Sequence, residues 1–515
     1  MGARRAQQGS LAASACVLAA ATALAVAPAD VGDAAERVAA EAGKPGGKPG
    51  KGARKRERLR RMRRANRRQK RPNVIVVMTD DQNDSMEGLP RTVQLLGGRG
   101  TTFRNSYVSF PLCCPSRATF LTGQFAHNHG VVHTDLPNGY NGLDHTNTLP
   151  VWLRSSGYRT AMVGKYLNSY GIDDGIPEPV PDAREIPPGW AEWYALTAAH
   201  DQRRYDFKMN ENGKIRRYGF GGRNYVTDVL ASKAVTFVKR RAPRPKPFFL
   251  WFNPTAPHGE ARPDPSRSRD PTPALRHFGR LGNALAPRTP NFDEADVSDK
   301  PGPIAASPPL SDAEIDEIDR RHRGRIESLL AVDDAVKRLV GKVRKAGDMR
   351  KTYFFFTSDN GLLLGAHRLL FKRYIYEEST RVPLIVRGPR FPAGAVRDQL
   401  VSNVDLAPTI AELARVIPRR PPDGRSLLGP AVNPGAGAGR EILFENRVAG
   451  GSAGLRSGQW VYLDNGPGET DELYDLAADP FQLDSLHASP GHAAIRNQLK
   501  ARLQAVRNCA GGACP

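Results

Sequence analysis

The sequence predicts an α/β fold in which buried strands form a sheet flanked by helices. Three apolar runs carry that prediction: 73–78 (Asn-Val-Ile-Val-Val-Met), 248–252 (Phe-Phe-Leu-Trp-Phe) and 352–357 (Thr-Tyr-Phe-Phe-Phe-Thr). None alternates with polar residues, so each suits a strand covered on both faces. The segments between them alternate helix-like spacing with shorter strands, the pattern of a sheet wrapped by helices.

The N-terminus comes first. Residues 1–29 read as an export signal: Arg4 and Arg5, an apolar run over 11–26, then small residues that allow cleavage after Ala27 or Ala29. The run is short and Ala-rich for a bilayer span, so retention as a membrane anchor is the lesser alternative. The Arg pair leaves a twin-arginine route open, and Cys16 makes a poor lipoprotein site. The expected mature protein is therefore secreted or extracytoplasmic.

Residues 30–71 are Gly/Pro/Lys-rich and then almost solid Arg and Lys, and they lack apolar side chains to bury. A disordered basic linker is expected there. Residues 1–71 carry 18 Lys/Arg against five Asp/Glu, more than half of the +22 net charge over 515 residues. The stretch 44–71 suits contact with an anionic polymer, but a plain solvated linker is the favoured reading. Nucleic acid is not an expected partner of an exported chain.

The folded part begins at Pro72, with domains expected at 72–418 and 419–515. The first strand ends in Asp80-Asp81, and the 352–357 strand in Asp359, Asn360 and Gly361, where a sharp turn is expected. Open α/β sheets place ligand sites at such strand ends. Adjacent carboxylates repel unless a cation sits between them, and oxygen donors of this kind suit a hard divalent ion such as Ca²⁺. Residues 149–156 read as a helix closed by Gly157 and 158–163 as a strand, after which Lys165 can point into the same cleft. His258 follows the 248–252 strand in a Pro-rich loop. Residues 328–340 have helical spacing, and Asp333 and Asp334 there read as surface or cap residues. Beyond Asn360, Lys372 ranks ahead of His367 as a site residue, before a strand at 382–386. A helix is expected at 403–414, then a Pro/Gly-rich stretch to 439. Of the five cysteines, Cys509 and Cys514 suit a small local disulfide in an oxidising compartment.

One stretch organises the rest: 113–123, Cys-Cys-Pro-Ser-Arg-Ala-Thr-Phe-Leu-Thr-Gly. Pro115 fits the first turn of a helix, whose free N–H groups would face an anion. The stretch resembles the signature of the type I sulfatases, Cys-x-Pro-Ser-Arg-x-x-x-Leu-Thr-Gly. The resemblance implies that Cys113 is oxidised to formylglycine (3-oxoalanine) by a formylglycine-generating enzyme, Cys114 being the variable position. The chemistry accounts for the modification. A sulfate ester repels anionic attack unless cations surround it, and a serine would be left as a sulfate ester slow to hydrolyse. A geminal diol avoids that, since one hydroxyl attacks and the other expels sulfate by restoring the aldehyde.

The resemblance further implies an alkaline phosphatase-like fold, a large mixed β-sheet sandwiched by helices. Residues 460–463 and 472–480 resemble that family's small C-terminal antiparallel-sheet subdomain. It also implies one Ca²⁺ held by Asp80, Asp81, Asp359, Asn360 and the oxidised Cys113. Arg117, Lys165 and Lys372 would neutralise charge around sulfate, and His258 would protonate the leaving alcohol. The stretches 165–171, 187–194, 224–230, 256–259 and 286–292 are similar to N-acetylglucosamine-6-sulfatase and the heparan 6-O-endosulfatases. A 6-sulfated N-acetylglucosamine or another sulfated glycan is thus the expected substrate. One departure stands out: Leu167 occupies the position where many sulfatases carry a His. His127 and His129 are the nearest substitutes by sequence. Two alternatives remain: a phosphonate monoester or phosphodiester hydrolase using the same oxidised Cys, or an inactive binder of sulfated polymer if Cys113 stays a thiol.

Overall fold

The computed structural model describes residues 57, 71–172, 182–197, 203–260, 270–446 and 451–515. The expected export signal and, apart from residues 57 and 71, the basic linker lie outside the described residues. In chain order the first strands are β1 (Asn73–Thr79), β2 (Thr101–Phe103), β3 (Ser106–Tyr107), β4 (Arg159–Gly164), β5 (Glu192–Leu196), β6 (Phe207–Glu211) and β7 (Lys214–Tyr218). Then follow β8 (Phe248–Asn253), β9 (Thr352–Ser358), β10 (Leu384–Arg387), β11 (Ala395–Arg397) and β12 (Val401–Ser402). The last four are β13 (Glu441–Asn446), β14 (Ser452–Ser457), β15 (Trp460–Asp464) and β16 (Glu472–Asp475).

Ten of these build one mixed sheet in the order β11-β2-β10-β9-β1-β8-β4-β5-β6-β7. The central five, β9-β1-β8-β4-β5, run parallel, while β10 runs against β9 and β6 against β5. The three apolar runs that predicted the fold are the three innermost neighbours, β9, β1 and β8. Their lack of alternation follows from two cores: Val74, Val76 and Met78 face one, Ile75 and Val77 the other.

The first core is covered by the helices Cys113–Thr122, Leu149–Ser155 and Leu406–Ala414, through residues such as Phe120, Trp152 and Ile410. The second is covered by Val226–Arg241 and the 35-residue helix Asp312–Ala346. That long helix starts at a capping box between Ser311 and Glu314 and stops at Gly347. Each Leu or Val it buries contributes about 1.5–3 kcal/mol.

Of the two roles expected for Asp333, surface or cap, the structure shows the cap. Asp333 is fully buried in mid-helix, and its Oδ1 accepts from the Thr92 N–H at 2.6 Å and the Thr92 hydroxyl at 2.8 Å. It therefore caps a neighbouring helix, Pro90–Leu95, and not its own.

Strands β13 to β16 form a separate four-stranded antiparallel sheet. One face, with Ile442, Phe444 and Val461, packs on Tyr107, Ile375 and Tyr376. The other, with Leu443, Leu455 and Leu473, packs on the helix Ala493–Val506. Beyond it Cys509 and Cys514 form the expected disulfide. No helix of the described residues is long and apolar enough to cross a membrane.

Candidate active site

The site grows out of the pairing of β1 with β9. Their register aligns Thr79 with Ser358, so both strands end at the same level and deliver Asp80-Asp81 beside Asp359-Asn360. The Asp81 N–H donates to Asp359 Oδ1 at 3.1 Å, and Asn360 Nδ2 donates to Asp81 Oδ1 at 2.7 Å. Gly361 is needed for space and not for the sharp turn expected of it: a Cβ there would lie 2.0 Å from the Glu378 carbonyl oxygen.

Cys113 is the first residue of its helix, two places earlier than a start at Pro115, and it is buried. Arg117 lies one turn on, hence on the same helix face. Its Nε donates to Asp359 Oδ2 at 2.8 Å and one Nη donates to the Lys165 carbonyl at 2.9 Å. Lys165 follows β4, and its Nζ stands 2.8 Å from Asp80 Oδ2. The approach requires glycine before it: a Cβ at Gly164 would sit 1.9 Å from the Asn253 carbonyl oxygen.

Lys372 arrives from the loop after β9. Its Nζ lies 2.8 Å from Cys113 Sγ and also bonds Asp81 Oδ1. His258 arrives from the loop after β8. Its Nδ1 meets the Gly259 carbonyl at 2.7 Å, so Nδ1 carries a proton and Nε2 faces Asp81 Oδ2 at 3.6 Å. Asp80, Asp81, Cys113 and His258 each offer a ligand atom within 4.8 Å of the others. Asp359 and Asn360 beside the two aspartates add oxygen donors to this cluster, the kind a hard divalent cation takes, and among the described residues the buried Asp80 Oδ1 accepts no hydrogen bond.

Charges in this pocket shape one another. Burial opposes the Asp80 charge, but Lys165, His258 and Arg117 outweigh it and hold the carboxyl well below its usual range. Burial and the neighbouring Asp80 instead push Asp359 up to about 6. Burial also lifts the Cys113 thiol to about 11, despite Lys165 and Lys372 nearby. An unmodified Cys113 is thus a neutral thiol at pH 7 and a poor nucleophile.

A family model described as Sulfatase matches residues 72–416, two-thirds of the chain and all of these groups. The chain belongs to the sulfatase family of sulfuric ester hydrolases. The N-acetylglucosamine-6-sulfatase of Homo sapiens is 36% identical over 371 residues, covering 70% of this chain and 64% of that enzyme. The goat (Capra hircus) enzyme of the same name is 32% identical over 493 residues, covering 86% of this chain and 85% of its own. A solved structure in complex with its substrate D-glucosamine-2-N,6-O-disulfate superposes with a TM-score of 0.70 at 25% identity. It covers 84% of this chain and 97% of that one.

In this sulfatase the nine residues expected at the site converge, whereas the substitutes considered for Leu167 do not join them. His129 Nε2 meets the Thr119 hydroxyl at 3.0 Å, and its Nδ1 accepts the Val131 N–H. His127 lies between Glu445 Oε1 at 2.8 Å and the Cys509 carbonyl at 2.7 Å. His129 thus ties back to the helix Cys113–Thr122, and His127 ties the chain beyond its stop at Gly123 to the C-terminal part of the fold. His367 is likewise occupied, buried against Glu294. Sequence reasoning missed Arg325. It is buried in the long helix, and its guanidinium donates to the carbonyls of Asp81 and Pro257.

Proposed function

We propose that this sulfatase is an exported, calcium-dependent enzyme that removes 6-O-sulfate from N-acetylglucosamine or a related sulfated glycan, using Cys113 oxidised to formylglycine. The observation that carries the reading is the seat of Cys113: first in its helix, 2.8 Å from Lys372 Nζ and within ligand reach of Asp80 and Asp81. The hydrated aldehyde would supply the nucleophile, with one hydroxyl for attack on sulfur and a second to release sulfate. Calcium, held by Asp80, Asp81, Asp359, Asn360 and residue 113, would draw off negative charge at that oxygen.

The remaining work falls to side chains already in place. Lys372 and Lys165 flank the sulfate and Arg117 holds the carboxylates, so that three cations oppose the charge growing on the ester oxygens. Burial pushes the His258 imidazole down to about 4, but the negative charge of a bound sulfate ester favours its imidazolium form. With Nδ1 anchored on Gly259, that form would give its Nε2 proton to the leaving oxygen, releasing the alcohol and returning to the neutral ring. The substrate class is supported by the printed activities of the human and goat relatives and by the disulfated glucosamine bound to the structural neighbour.

The test joins mass and rate. The peptide spanning residue 113 should be lighter than its cysteine form by about 18 Da, the difference between CH₂SH and CHO. Turnover of 4-nitrophenyl sulfate and of N-acetylglucosamine-6-sulfate should track the fraction converted. Full activity in a wholly unconverted preparation would defeat the reading. A phosphodiester hydrolysed faster than the sulfate would favour the phosphonate-hydrolase alternative.

A further inference from the structure

The helix Asp312–Ala346 buries a line of side chains spaced by three and four: Leu329, Val332, Val336, Leu339 and Val343. The same spacing carried toward the N-terminus passes through Arg325 and His322, also buried. The apolar line turns polar where the helix reaches the ligand-bearing strand ends. Arg325 pairs with no carboxylate among the described residues. One Nη bonds the Asp81 carbonyl and the other donates to the Pro257 carbonyl at 3.4 Å. A buried guanidinium held by carbonyls alone carries a desolvation cost that an apolar side chain would avoid. The two carbonyls belong to different loops, one bearing Asp81 and the other leading directly into His258. Asp81 itself sits in the left-handed region, φ 64°, uncommon for a residue other than glycine, and it is the carbonyl of this residue that Arg325 holds.

We propose that Arg325 is a positioning residue for sulfate ester hydrolysis, setting the Asp81 carboxylate and the His258 imidazole at their mutual 3.6 Å by gripping both loops from below. The inference rests on the reading of Asp81 as a calcium ligand and His258 as the proton donor. It differs from a stabilising role in what should change. Removing a buried guanidinium relieves its desolvation cost while leaving two carbonyls without this donor, offsetting effects on stability, whereas losing an outer partner of a metal ligand weakens metal binding or activity ~10–100-fold.

The experiment compares full-length wild type with Arg325→Met and Arg325→Lys. Calcium affinity is measured by titration calorimetry, melting temperature in EDTA, and kcat and KM with 4-nitrophenyl sulfate at saturating calcium. Arg325→Met should lose calcium affinity and kcat by ~10-fold or more, with KM and the EDTA melting temperature nearly unchanged. Arg325→Lys, able to reach one carbonyl, should recover part of both. Wild-type calcium affinity and kcat in the Met variant would overturn the proposal, as would losses matched by the drop in EDTA stability. If Arg325→Met fails to fold, the Lys variant decides by the same two readings. A wild type indifferent to calcium would refute the calcium reading alone, and the split between kcat and KM would still judge Arg325.

Discussion

Lys372 Nζ stands 2.8 Å from Cys113 Sγ although 259 positions separate the two residues. The contact closes a ring of charge, because the same ammonium bonds Asp81 and lies 3.5 Å from Asn360 Oδ1. Lys372 thereby touches Cys113, the proposed nucleophile, and two candidate metal ligands at once. Lys372→Ala should lower kcat/KM for 4-nitrophenyl sulfate by ~10²–10³-fold, as loss of a donor aimed at developing charge does. Steady-state kinetics beside an unchanged circular dichroism spectrum checks this, and a loss under threefold would remove Lys372 from the mechanism.

Asp80 offers a different test because, among the described residues, its Oδ1 accepts no hydrogen bond. If that oxygen serves a cation, calcium at a hundred times its Kd should add about 2.7 kcal/mol to the unfolding free energy. Asp80→Asn should weaken calcium binding by ~100-fold or more, beyond what loss of an outer partner costs. Thermal melts across a calcium series, with EDTA as the zero point, measure both effects. An identical calcium response in wild type and variant would place the ion elsewhere.

What could be read in the sequence depended on how locally each signal was written. The Asp80-Asp81 and Asp359-Asn360 pairs each follow an unbroken apolar strand, so adjacency alone marked them, and the β1–β9 register then brought them together. The strands β9, β1 and β8 were legible for the same reason: burial on both faces leaves no alternation to confuse with a surface strand. His127 and His129 misled because nearness in sequence to Cys113 does not survive the turn at Gly123. Arg325 was missed because an arginine in a charged helix reads as solvated. Its place on the line that continues through Leu329 and Val332 was the available signal, and it required a helix longer than the 328–340 stretch first apparent.

The two Asp-Asp pairs should respond oppositely to mutation. Asp333 accepts from the Thr92 N–H, the Thr92 hydroxyl and the Arg91 N–H, neither residue a member of the candidate site. Asp333→Ala strips a buried cap from the helix Pro90–Leu95, leaving donors unsatisfied, and should cost about 1–3 kcal/mol of stability. Its kcat below the melting range should stay within twofold of wild type. Denaturant titration with parallel kinetics distinguishes it from Asp80→Asn, and a large kcat loss in a folded Asp333→Ala would contradict a purely structural role.

The His127–Glu445 contact predicts a pH dependence of stability. Burial works against a charge on His127, but the hydrogen bond and charge of Glu445 outweigh it and raise the imidazole above its ordinary value. A raised folded pKa means the native state holds this proton more tightly than the unfolded chain does. The contribution is therefore complete below the unfolded value of about 6.5 and disappears as pH climbs through the raised one. Melting temperatures of wild type and His127→Gln should differ most near pH 6, and the gap should shrink by pH 9, by on the order of 1 °C or more. Taking the difference between the two proteins cancels titrations common to both. A gap that widens with pH would mean the ring is held neutral, donating to one of its two oxygen neighbours without a charge.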